Sequence, residues 1–536
     1  MKKASRLPQV AWSLLVGLLL GVTRTRASRL RPLDFAPFEA ALADLSSVRE
    51  EEISSLLGSA SLVDVQELMD RGALSSEELT VYGLARIRRL DPTLGSLIEL
   101  NPAALVEARS ADERRRAQGA AGPLHGIPVS VKDNIETAGP MRTTAGTTLL
   151  ADHVAGGDAP LVKALRMAGA VILGKANLSE LAGAVARTPG VSAVGGQTVN
   201  PYGADFTPGG SSSGSAVSVA AGLCLASIGT ETSGSLIAPA AFNGVVGMKP
   251  SRDLVSGEGI VPLVSYQDSA GPIARCVADA AALLGAIATG TLEVDLSPRA
   301  LQDITVGVLR EDILAQKTPF EDITDAEAVL SRIMDGLREA GASATDVTLV
   351  TDVPMTTFES GFTKVVVGGL ANDTVSYLAS AGAPVTSLGQ LHAYNLRKPR
   401  ARMPKGQAFV SLAYFFDIDR ATYEEQALEH RRMAAQILDA TIESSAAQML
   451  VSVSNRHSSL YATAGYPAIT VPLGLRANGM PVGATLIGRA GDDARLLGYA
   501  FAFEQATRLR VEPPGIGKDD ESSGEREALD YRTKPT

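Results

Sequence analysis

Aromatic residues make up only 4% of this 536-residue chain, with a single tryptophan, 2 cysteines and 5 histidines. So few aromatics argue against an aromatic-lined binding module. Two cysteines cannot staple a chain of this size, and a compact chain this long, burying roughly three quarters of its unfolded surface, needs no staples. Cys224 (LCLAS) and Cys276 (ARCVADAA) lie in apolar runs and read as buried thiols rather than a bridge. The histidines show no ligand spacing, so neither a catalytic zinc nor any other metal is expected. Basic residues are outnumbered, 49 Lys and Arg against 59 Asp and Glu for a net charge of −10, which argues against nucleic acid as a partner.

Long apolar runs are also scarce. The one that stands out, Val10 to Val22 (VAWSLLVGLLLGV), follows Lys2, Lys3 and Arg6 and precedes TRTRAS. A basic start, a short apolar stretch and a small-x-small end at Thr25 and Ala27 read as a secretory signal cleaved after Ala27. The run is too short for a comfortable membrane span, so no stable span is expected after processing. The expected location is secreted or periplasmic; an uncleaved anchor or an organelle transit segment are the alternatives.

Glycine, by contrast, is abundant at 52 residues, and points to tight turns and small-residue packing. From 35 to 121 the texture is helical. SSEELTVYGLARIRRLDP offers a cap at Ser75 or Ser76, acids in the first turn and a stop at Pro92, and NPAALVEARSADERRRAQG is a second helix ended by Gly119. Its Glu113 to Arg116 cluster reads as a solvated face. From 122 to 290 short apolar strands alternate with helices. HGIPVSVKD sets Ile127, Val129 and Val131 against Ser130 and Lys132, the period of a half-buried strand. Residues 212–222 read as helix and 223–229 as strand; 300–450 is less patterned and reads as an insertion over the core; SSLYATAGYPAITVPLG (458–474) returns to strand texture; and 514–536 is polar and expected to be disordered. The sum is a leader (1–27) followed by one α/β domain (28–513) around a central mixed β-sheet covered by helices on both faces.

The chemistry concentrates in TPGGSSSGSAVSVAAG, Thr207 to Gly222. A linker would continue into more linker, whereas this run leads straight into an apolar helix-then-strand pattern and a second hydroxyl-rich turn, GTETSGS, ending at Ser235. GSSSG (210–214) matches G-x-S-x-G with Ser212 central, but a nucleophile elbow needs a strand immediately before it, and Pro208 marks a turn there instead. A serine hydroxyl needs a base. Lys132 is a candidate: burial lowers a lysine's pKa, and a neutral amine accepts a proton. A strand-end lysine reaching out to solvent is the plainer reading of the same residue.

PLHGIPVSVKDNI, GGQTVNPYGADFTPGGSSSGSAVSVAAG and GTETSGSLIAPAAFNGVVGMKPS, in that order, resemble the amidase signature family over 122–290, with weaker support from 99–121 and GYPAITVPLG. The lysine stands 79 residues before Ser211, and Ser211 stands 24 before Ser235. The resemblance implies the amidase-signature fold and a cofactor-free amide hydrolase with a Ser-cisSer-Lys triad. Ser235 would be the acyl-forming nucleophile, Ser211 the bridging serine after a cis Gly210–Ser211 peptide, and Lys132 the base. Backbone N–H groups of Thr232, Ser233, Gly234 and Ser235 would form the oxyanion hole. Ser212 is left as support for the triad, and Ser213 and Ser215 as capping and packing residues. Glu231 and Ser233 depart from the Asp and Gly common in the family's GTDxGGS turn, so Ser233 has to tolerate a glycine's dihedrals. The form GTETxGS is similar to the peptide amidase branch, which implies C-terminal peptide amides or other small carboxamides as substrates and a monomer or homodimer. The alternative is the amidase component of a glutamyl-tRNA amidotransferase, with protein partners; an aryl-acylamidase or a non-catalytic member ranks lower. The acyl pocket is expected from 182–194 and 458–469, which are small and mostly neutral.

Overall fold

The computed structural model describes residues 27–186, 188–315 and 324–515. The expected leader, apart from Ala27, and the expected tail, apart from residues 514–515, lie outside the described residues.

The strands are β1 (Leu97–Leu100), β2 (Pro128–Lys132), β3 (Val171–Ala176), a short hairpin of β4 (Val191–Ser192) and β5 (Gly196–Gln197), then β6 (Ala226–Glu231), β7 (Val246–Lys249), β8 (Ser269–Ala274), β9 (Thr305–Val308), β10 (Ser343–Asp346), β11 (Met449–Val453), β12 (Ala468–Leu475) and β13 (Pro481–Ile487). Apart from the hairpin they form one sheet of 11 strands, in the order β1-β3-β2-β6-β8-β7-β12-β13-β11-β9-β10. Pairing is mixed. β2 is parallel to both β3 and β6, β9 to both β10 and β11, and the pairs between are antiparallel.

Alternation along β3 shows how the layers are set. Ile172 packs into one large apolar cluster with Val129, Val131 and Leu284, while Val171 and Leu173 pack into another with Leu84, Leu100 and Val217. Helices therefore cover both faces. For that reason β2 is buried along its whole length, Ser130 and Lys132 included, rather than half-buried as its alternation suggests. Ser130 meets its hydrogen-bond demand inside the sheet, donating to Ser227 Oγ at 2.8 Å.

The N-terminal helices follow their capping signals closely. Ser75 and Glu78 form a reciprocal capping box at the start of the helix Ser76–Leu94. That helix carries Pro92 in its last turn and ends only at Gly95, left-handed at φ 61, so the stop comes later than Pro92. In the helix Ala104–Gln118, Arg115 is not part of a solvated face: its side chain is 9% exposed and donates to Asp70, Gln66 and the His125 carbonyl.

Residues 300–450 divide. β9 and β10 extend the main sheet, whereas 355–444 form helices that pack on one another around Val365, Leu391, Val410 and Tyr423 and join the main core through Phe358, Ala434, Ile437, Leu438 and Ile442. The stretch 458–474 begins as a helix, Ser458–Ala464, before it enters β12. Among the described residues no helix is long and apolar enough to cross a membrane. Cys224 is buried, Cys276 half-buried, and both thiols are free.

Candidate active site

Lys132 is the last residue of β2, between β3 and β6, and is fully buried. Its Nζ donates to Ser211 Oγ at 2.7 Å, to Thr230 Oγ1 at 2.8 Å and to the Thr230 carbonyl at 3.2 Å. Thr230, on the adjacent strand β6, is a site residue that the sequence reading missed; parallel pairing of β2 with β6 brings it alongside. Asn134 donates to the same hydroxyl at 3.1 Å. Burial outweighs the attraction of two carboxylates, Asp268 and Glu231, and pulls the Lys132 pKa from 10.5 to about 7.

The Gly210–Ser211 peptide is cis. Gly209 turns with φ +68 against Pro239, where a Cβ would come within 2.6 Å of backbone. Ser212 follows, and its amide donates to the Ser235 carbonyl at 3.1 Å, which lays the two hydroxyl-rich turns side by side. The Ser212 hydroxyl is committed to backbone, donating to Thr230 O at 3.0 Å and accepting from Thr230 N at 3.1 Å. It is the pin between turn and strand, with no strand before it to make an elbow. Ser213 and Ser215 do not cap the helix Ser213–Ala220, whose N-terminus has no side-chain cap. Both hydroxyls instead point at neighbouring elements, Thr198 Oγ1 and the Ile228 carbonyl.

In the second turn, Gly234 alone takes the left-handed conformation, at φ +74, and Ser233 lies outside the positive-φ set, so the serine in place of glycine carries no dihedral strain. The Ser233 hydroxyl donates to Ser458 Oγ at 3.1 Å. Thr232 is held at both ends: its hydroxyl donates to Asp268 Oδ1 at 2.5 Å, and its carbonyl accepts from Gln267 Nε2 at 2.8 Å. Asp268 Oδ2 accepts from the amides of Leu263 and Val264, and burial raises its pKa to about 6. Glu231 lies beneath the turn. Its Oε2 accepts from the amides of Leu236 and Ile237 at 2.8 and 3.1 Å, bonds that favour the ionised form, while burial raises its pKa. The longer Glu thus anchors the backbone on the C-terminal side of Ser235.

Thr232, Ser233 and Ser235 open onto a cavity of about 640 Å³. Of the two segments expected to shape it, only Ala182 and Gly183 of the first take part. Most of the wall comes from two helices of the 355–444 region, Met355–Gly369 and Ala408–Phe416, through Phe362, Val366, Phe409 and Phe415. Which face of each helix closes over which turn cannot be read from the sequence. No cluster of His, Cys, Asp or Glu suited to a metal ion occurs among the described residues.

Residues 78–357 match the family described as Amidase. The chain belongs to the amidase signature family. An Arabidopsis thaliana protein named as a probable amidase is 34% identical over 503 residues, covering 89% of this chain and 96% of its own. The A subunit of the Roseiflexus castenholzii glutamyl-tRNA(Gln) amidotransferase is 32% identical over 498 residues, covering 85% and 98%. Among solved structures, an amidase family protein from Bacillus anthracis superposes with a TM-score of 0.81 at 33% identity, over 91% of this chain and 100% of that one. The native peptide amidase of Stenotrophomonas maltophilia gives 0.77 at 37% identity, over 85% and 98%. As a member of the family, this amidase hydrolyses an amide C–N bond.

Proposed function

We propose that this amidase removes the terminal carboxamide of peptides or of other small carboxamides through an acyl-enzyme on Ser235. The observation that carries the reading is the buried Lys132, 2.7 Å from Ser211 Oγ and held near pKa 7, beside a turn whose last residue opens on a large apolar cavity. Ser235 Oγ attacks the carbonyl carbon. Its proton passes to Ser211 Oγ as the Ser211 proton passes to neutral Lys132. The oxyanion is met by backbone N–H groups of the 232–235 turn, where one donor is worth about 2.7–4 kcal/mol of barrier. Collapse breaks the C–N bond, and the proton returns through Ser211 to the departing nitrogen, which leaves as ammonia. Water, deprotonated along the same route, then cleaves the ester and restores Ser235.

The likeness to the Stenotrophomonas maltophilia peptide amidase supports the substrate class. The leader read at 1–27 supports export of the protein that carries this activity. A second reading, the amidase component of an amidotransferase, draws on the Roseiflexus castenholzii relative and calls for partner subunits; the acidic balance of this chain disfavours tRNA handling. Ammonia release from an N-acylated dipeptide amide by the purified chain alone tests the proposal. Turnover that Ser235→Ala abolishes supports it; turnover unchanged in Ser235→Ala overturns it, and stable copurification with partner subunits favours the second reading.

A further inference from the structure

The large cavity is lined mostly by apolar side chains. At its floor are the hydroxyl-bearing residues of the oxyanion turn, and at its rim stand Thr363 and Glu359, the latter the only charged side chain among the described lining residues. Glu359 shares a helix face with Phe362 and Val366, in steps of three and four residues, so its carboxylate stands two turns, about 10 Å, from the level of Val366.

The carboxylate is tied to the oxyanion turn through two consecutive residues. Ser458 Oγ accepts from Ser233 Oγ at 3.1 Å, and Ser459 Oγ donates to Glu359 Oε1 at 2.5 Å. Since neighbouring Cα atoms are about 3.8 Å apart, this path keeps the carboxylate within about 14 Å of the Ser233 hydroxyl. Glu359 and Ser235 line the same cavity, so the residue that bears the amide under attack enters a space that the carboxylate faces. The start of the helix Ser458–Ala464 thus links a negative charge to the turn that carries Ser233 and Ser235. Glu359 is exposed as a residue at the cavity mouth; Ser459 holds its Oε1 and partial burial raises the carboxyl's pKa, so Oε2 is the oxygen left to meet a cation.

On the reading given under Proposed function, we infer that Glu359 is a specificity-determining residue that selects amides whose residue at the scissile bond carries a positive charge on an otherwise apolar body, and disfavours anionic ones. The charge is an ammonium or guanidinium, supplied either by a free α-amino group or by a basic side chain. The phenylalanine-rich wall takes the methylene or branched apolar part, and the carboxylate takes the cation. A pair at a solvent-exposed rim is worth at most a few-fold in rate, which is the scale of a preference rather than of an absolute requirement.

The test compares kcat/KM for four amides: leucinamide (α-ammonium), Nα-acetyl-leucinamide (neutral), Nα-acetyl-lysinamide (side-chain cation) and the α-amide of Nα-acetyl-glutamate (anion). For the wild type, at least one cationic amide should exceed the neutral one by about fivefold, and the anionic one should fall below it. Which of leucinamide and Nα-acetyl-lysinamide gains tells the source of the charge. Glu359→Gln should bring the cationic-to-neutral ratio close to one, and Glu359→Lys should invert the order of cation and anion, with far smaller changes for the neutral amide. Ratios in Glu359→Gln equal to those of the wild type overturn the inference while the amidase reading stands. Turnover of none of the four by the wild-type protein overturns both.

Discussion

Thr232 Oγ1 donates to Asp268 Oδ1 at 2.5 Å, and the same carboxylate is the leading charge opposing the desolvation of Lys132. One buried acid thus fixes Thr232 in the second hydroxyl-rich turn and also biases Lys132 toward its protonated form. On the proposed mechanism Lys132 accepts a proton only when neutral, so kcat/KM should rise with pH through about 7. Asp268→Asn removes the negative charge that holds the proton on Lys132. Its pKa falls further, and the acid limb of the kcat/KM profile should move to lower pH even though kcat at the plateau drops. An acid limb that stays in place or moves up would show that Asp268 does not act on Lys132.

Lys132→Met should lower kcat about 10²–10⁴-fold, the usual worth of a positioned proton acceptor. It should also change stability with a definite sign. The folded-state pKa of about 7 lies below the ordinary lysine value of 10.5, so between these values the unfolded chain binds more protons and wild-type stability rises with pH. The variant lacks this contribution. Relative to wild type it should therefore be most stable at pH 6 and lose that advantage by pH 10, as read by urea unfolding at the two pH values.

Gly234→Ala places a Cβ 2.8 Å from Asn455 Nδ2 at a residue with φ +74. The turn must shift, and its amides with it. Loss of a single oxyanion donor costs about 10²–10³ in kcat, and steady-state kinetics should show a fall of that order in kcat with a smaller change in KM. A variant with wild-type kcat would mean that the amides of this turn are not used.

Ser212→Ala should act mainly on stability. It leaves the buried Thr230 amide without its acceptor, a loss of about 1–3 kcal/mol that denaturant titration can read. Residual activity should exceed that of Lys132→Met by at least an order of magnitude, because Ser212 touches backbone rather than the base.

Much of the site is legible because it is local in sequence. Lys132 ends a five-residue strand, and each serine turn carries its own glycines, so composition and spacing mark them. What the sequence hides is what depends on pairing across the fold. Thr230 meets Lys132 only because β2 and β6 are parallel neighbours, and Asp268 meets Thr232 from 36 residues away. The strand β2 reads as half-buried because Ser130 and Lys132 alternate with valines, yet Ser130 is satisfied by Ser227 and Lys132 by Ser211 and Thr230. The cavity wall is the least legible part. A pattern along helices such as Met355–Gly369 and Ala408–Phe416 does not name the turn they will cover. The mistaken strand at 458–464 has a similar origin, since SSLYATA mixes residues of both propensities and its context in the fold decides for helix.

The central claim, that Ser235 is the nucleophile and is activated by Ser211 and Lys132, is tested most directly by covalent labelling. The protein is treated with a fluorophosphonate at pH 8, and peptide mass spectrometry locates the adduct. The account predicts a single phosphonylated residue, Ser235, with no adduct in Ser235→Ala and much slower labelling in Lys132→Met. An adduct on Ser211 or Ser212 with Ser235 unmodified, or labelling of Ser235→Ala at the wild-type rate, would contradict it.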